Sequence, residues 1–126
     1  MFQLSPSVIQ TDTTLRGFLL VVPRHLVHRF GRPRKPSGDG KVSGSYVFVA
    51  NTGSTAIVYD WKSTALYNAN SEANLPSQHE FWESTEPSEF SVSATGRFDL
   101  SAFAQWLGAR RFRAERKTQW VDLAQR

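Results

Sequence analysis

The sequence predicts a small α+β domain, with a short antiparallel sheet around a central hairpin and helices at about 23–30 and 100–117. Three observations carry this. Two segments, 42–50 and 55–62, alternate in the way half-buried strands do, on either side of a turn-forming Asn51-Thr52-Gly53-Ser54. Two further segments carry helical apolar spacing with start and stop signals. A chain of 126 residues, 40% of them hydrophobic, can fold as one domain around its own core.

The elements follow in order. Gly17–Val22 reads as a short buried strand, apolar throughout and bounded by Gly17 and Pro23. Pro23 suits the first turn of a helix, where its missing N–H leaves nothing unpaired. Leu26, Val27 and Phe30 share one face of that helix, and Gly31 ends it in a position suited to a left-handed residue. Residues 32–41 hold two prolines and two glycines, and form a loop. In the hairpin, Tyr46, Phe48 and Ala50 share a face. In its second strand Ile57, Tyr59 and Trp61 lie opposite Ala56, Val58, Asp60 and Lys62. Residues 63–88 read as an irregular segment pinned by Leu66, Tyr67, Phe81 and Trp82. A strand at Glu89–Ala94 buries Phe90 and Val92, and Asp99 caps a helix with Leu100, Phe103, Ala104 and Leu107 as its core stripe. The expected organisation is a single α+β domain over 1–108 and a basic helical C-terminal extension over 109–126.

There is no cysteine, which removes disulfides, thiolate metal sites and a cysteine nucleophile from consideration. The N-terminus lacks the layout of a signal peptide and no apolar run approaches a membrane span, so the expectation is a cytoplasmic chain without membrane contact. The net charge of +4 is unevenly spread. Arg24, Arg29, Arg32, Arg34, Lys35 and Lys41 form a basic block, followed by an acidic block of Glu72, Glu80, Glu83, Glu86 and Glu89. A second basic block holds Arg110, Arg111, Arg113, Arg116 and Lys117. Such blocks either neutralise one another across the folded surface or present a patch to a polyanion.

Few residues suggest chemistry. His25 and His28 are three apart on the first helix, a spacing metal ligands use, but the only other imidazole is His79 and no metal site is expected. No serine has the glycine neighbours of a nucleophile elbow. Glu80 and Glu83 lie in a polar acidic run where carboxylates stay solvated. No catalytic residue and no cofactor are therefore assigned. Ser37-Gly38-Asp39-Gly40-Lys41 has the residues of a phosphate loop but not the spacing, and reads as a turn feeding a strand. Tyr59 and Trp61 allow two readings: core packing, or a stacking platform of the kind single-strand binders use. Asp60 and Lys62, on the opposite face, are placed to pair with one another.

The run Phe30-Gly31-Arg32-Pro33, then Asp39-Gly40-Lys41, then Tyr59-Asp60-Trp61-Lys62 resembles a set of short, poorly characterised proteins of bacteriophages and large DNA viruses that share FGxP, DGK and YDWK motifs. The resemblance covers about residues 25–107. Where that set carries a histidine- and glycine-bearing segment after the third strand, this chain has Ser91–Gly96, so no role of that histidine carries over. The resemblance implies a viral protein at work in the cytoplasm of a bacterial host, inhibiting an antiviral defence complex in the manner of an anti-CRISPR protein. Its partner would be a host defence protein or ribonucleoprotein. The expected contacts are Arg32, Arg34, Lys35, Lys41, Arg110, Arg111 and Arg113, through charge-assisted bonds, with Tyr59 and Trp61 as stacking surfaces. Two alternatives use similar residues: direct binding of RNA or DNA, and a sponge for a nucleotide messenger. The oligomeric state is open.

Overall fold

The computed structural model describes residues 1–5, 12–67 and 74–123; Glu72 of the acidic block lies outside them. The elements run β1 (Phe2–Leu4), β2 (Thr14–Val21), α1 (Pro23–Phe30), β3 (Ser45–Ala50), β4 (Thr55–Tyr59), α2 (Gln78–Glu83), β5 (Ser88–Ala94), α3 (Leu100–Leu107), β6 (Arg111–Ala114) and β7 (Val121–Asp122). The seven strands form one antiparallel sheet in the order β1-β3-β4-β5-β2-β6-β7. The α+β class and the central hairpin are as expected.

One face of the sheet makes the core. Tyr46, Phe48, Ala56, Val58, Phe90, Val92, Ala94, Leu19 and Val21 are buried on it. All three helices pack there: Leu26 from α1, Phe81 and Trp82 from α2, Phe103 and Leu107 from α3. Aromatic rings join the layers edge to face, as between Phe48 and both Phe30 and Phe103 at 5.0 and 5.5 Å.

The local signals explain the expected elements. Pro23 opens α1, and Gly31 ends it at φ +86°. Asp99 accepts a hydrogen bond from the Ala102 N–H, and Gly108 closes α3 in the left-handed region. Gly53, at φ +89°, turns the hairpin.

Four differences have physical causes. The helix expected over 100–117 stops at Leu107, and among the described residues of the expected helical extension, 109–123, there is no helix. After Gly108 the basic segment becomes β6, whose backbone pairs with β2 from Gly17↔Ala114 to Leu20↔Arg111. An otherwise unpaired sheet edge outweighs the segment's helical propensity. Within 63–88, read as irregular, α2 forms behind a reciprocal capping box between Ser77 and Glu80. The strand expected over 55–62 ends at Tyr59; beyond it Asp60 accepts from the Ser43 and Gly44 N–H groups, and Lys62 adopts φ +56°. β1, too short to leave a pattern, adds to the edge of β3.

Candidate nucleic-acid interface

The face of the sheet turned away from the helices carries an in-register row. Tyr59 pairs with Ser91, Ser91 with Phe18, and Phe18 with Arg113. With adjacent strands about 4.8 Å apart, Tyr59 and Phe18 stand about 10 Å apart across one serine. Beside the small serine lies a shallow cleft of about 350 Å3, lined by Trp61, Phe18, Ser91 and Glu89 together with Ser63, Pro76, Ser88 and, at the α2 end, Phe81.

Each wall is backed by cations. The Lys41 and Lys62 ammonium groups lie 5.8 and 5.6 Å from the Trp61 ring centre, and Lys62 is 5.1 Å from Tyr67. Trp61 is 51% exposed and meets Tyr59 edge to face. On the other wall the Arg113 guanidinium lies 4.4 Å from the Phe18 ring centre and 5.5 Å from that of Trp120. It donates to the Lys117 carbonyl oxygen at 2.8 Å, which holds its plane over Phe18. The arrangement offers two aromatic surfaces on opposite sides of one cleft, with positive charge outside each.

The exposure of Trp61 follows from the burial of its neighbour. Asp60 is fully buried, and its Oδ1 accepts from the Ser43 and Gly44 N–H groups at 2.8 and 3.0 Å. Its Oδ2 is buried without a hydrogen-bond partner, and burial pushes the carboxyl above its usual range. The expected Asp60–Lys62 pair is therefore absent: the carboxylate points into the protein while Lys62 turns to the aromatic rings. Core packing of Trp61 is overturned for the same reason, since the core claims the opposite face of β4.

The other expected contacts are dispersed. Lys41 also lies 3.8 Å from Asp39. Asp39 accepts from the Ser37 hydroxyl and the Lys41 N–H, closing the glycine-rich turn on itself. Arg34 is half-buried and structural: its Nη2 donates to the Ser5 carbonyl oxygen at 2.6 Å, and its backbone bridges to Ser45. Arg32 and Lys35 are exposed at the mouth of a second cleft, on the helix side. Arg110 and Arg111 sit toward the β7 edge, where Arg111 Nε lies 2.6 Å from Asp122. The structure thus brings Lys41, Tyr59, Trp61 and Arg113 to one face and leaves the rest apart.

Sequence reasoning missed Phe18, Lys62, Tyr67 and Trp120. Phe18 was inseparable from its buried neighbours in an apolar run, and the fixed alternation of β2 would have separated it only once the covered face was known. The histidines take separate partners: His25 Nε2 lies 3.2 Å from the Leu107 carbonyl oxygen, and the His28 ring nitrogen accepts from Arg24. Among the described residues no group of acids and imidazoles is arranged to hold a metal ion, and no helix is long and apolar enough to cross a membrane. Compared with protein-family models and with curated proteins, the sequence matches none.

Proposed function

We propose that this chain acts by binding single-stranded nucleic acid on the sheet face away from the helices. The observation that carries the reading is the pair of aromatic walls, Trp61 and Phe18, each backed by cations. A base entering the cleft would stack on one of the rings, while Lys41, Lys62 and Arg113 take the flanking phosphates. Glu89 in the lining repels phosphate and keeps the backbone on the lysine and arginine sides. The viral resemblance supplies a setting: a strand held by a host antiviral ribonucleoprotein would be occluded when bound here, which would make the chain an inhibitor of that complex.

The test is fluorescence polarisation with short labelled RNA and DNA single strands, titrated with salt. Binding should weaken linearly in log–log form with added salt. Trp61→Ala should weaken it about tenfold or more with the salt slope kept. Arg113→Ala should reduce the slope by about 0.7. No binding at low salt, or binding indifferent to both substitutions, would reject the reading.

A further inference from the structure

The second cleft, about 460 Å3, lies between the 32–36 loop and α2 and shares no lining residue with the Trp61–Phe18 cleft. We propose that it is a binding site for a mononucleotide, with the phosphate at Arg32 and Lys35 and the base against Pro33, Pro36 and Trp82. This does not rest on the single-strand reading.

Its charge is uncompensated. Among the described residues no acid pairs with Arg32 or Lys35. Two unpaired cations beside low-dielectric walls concentrate anions at the mouth. Glu83, on the α2 side, repels a phosphate from the far wall and so orients an anionic ligand toward the loop. The volume falls in the range of small-molecule sites and exceeds what a bare inorganic anion fills. The apolar part of the lining suits a flat, weakly polar body such as a nucleobase.

The cleft is also held open in advance, which lowers the ordering penalty of binding. The Tyr46 hydroxyl donates to the Gly31 carbonyl oxygen at 2.7 Å, fixing where the loop leaves α1. The Trp82 Nε1–H donates to the Ser43 hydroxyl oxygen at 3.0 Å, and the Gln78 amide donates to the Ser43 carbonyl oxygen at 3.3 Å. Gly44 permits the loop to seat on α2. A Cβ there would lie 2.8 Å from Pro33 Cβ and Cγ and from Trp82 Cζ2. Pro33 and Trp82 thus both close on the backbone of residue 44, which is possible because it has no side chain.

The test is calorimetric titration of the whole chain with adenosine 5′-monophosphate, with adenosine and inorganic phosphate in separate arms. The nucleotide should bind saturably, with a dissociation constant on the order of micromolar to low millimolar. Adenosine and phosphate should each bind at least about tenfold more weakly. Arg32→Glu combined with Lys35→Glu changes exposed residues only and should weaken nucleotide binding by a similar factor, whereas Trp61→Ala should leave it unchanged. In the unaltered chain the Trp82 indole N–H resonance should shift on saturation. Absent binding, a charge-reversed variant that binds as well as the original, phosphate alone binding as tightly as the nucleotide, or a stationary Trp82 resonance would each overturn the proposal. Single-strand binding that is lost in Trp61→Ala but kept in the charge-reversed variant would leave the other reading standing whichever way this one falls.

Discussion

Asp60 is where the fold can be tested most sharply, because it sits behind both clefts and two substitutions there separate its hydrogen bonds from its charge. In Asp60→Ala the Ser43 and Gly44 N–H groups lose their acceptor. A buried donor left unsatisfied costs about 1–3 kcal/mol, so the pair accounts for about 2–6 kcal/mol. Removing a buried carboxylate whose Oδ2 has no partner offsets part of this, leaving a net loss of about 2–4 kcal/mol. Asp60→Asn keeps a carbonyl oxygen for both donors and removes the charge, so its stability should stay within about 1 kcal/mol of the original at neutral pH. The assay is urea unfolding at a series of pH values, reading midpoint and slope together. Burial raises the folded-state pKa of Asp60 above its unfolded value. Its contribution to stability is then fully present below the unfolded pKa, about 3.9, and is lost as pH rises through the folded one. The original chain should therefore lose stability relative to Asp60→Asn as pH rises from about 4, and run parallel to it once the raised pKa is passed. Equal destabilisation by Ala and Asn, or a relative pH dependence of the opposite sign, would refute this account.

Two further substitutions probe elements the sequence did not announce. In Gly17→Ala the new Cβ would overlap the Arg113 carbonyl oxygen and come within 2.7 Å of Leu100 Cδ2. Thermal melting should show a loss of about 3 kcal/mol, and a loss below about 1 kcal/mol would mean that β6 does not seat so closely on β2. Ser77→Ala removes the hydroxyl that accepts the Glu80 N–H and should lower stability by about 1 kcal/mol, with faster hydrogen exchange at Glu80. Unchanged exchange there would argue against the capping box.

What could be read from the sequence was local. Alternation about Asn51–Ser54 placed the hairpin, and Pro23, Gly31, Asp99 and Gly108 bounded two helices, because each of these signals acts within one turn of chain. α2 had a legible start in Ser77-Gln78-His79-Glu80, but its polar surroundings hid the single apolar pair, Phe81 and Trp82. The segment Arg111–Ala114 fits either period, and only the free edge of β2, some ninety residues earlier, decides it. The site was legible in kind and not in composition. Tyr59 and Trp61 shared a face in any reading of β4, but which face the helices cover depends on the whole sheet. Arg34 looked like its basic neighbours and became a strut, because it alone lies opposite Ser45.

The order of the strands also governs when the fold can form. β2 leaves the ribosome early, yet both of its neighbours, β5 and β6, come from the last third of the described chain. Its apolar run therefore waits, both edges unpaired, while most of the protein is made, and closing those contacts spans long loops. The β3–β4 hairpin can assemble locally in that interval, but the core cannot close around Leu19 and Val21 until Phe90 and Val92 arrive. Folding should thus be late and concerted during synthesis, and a nascent chain stalled before Ala114 would present the unprotected edge of β2 to chaperones or to other copies of itself.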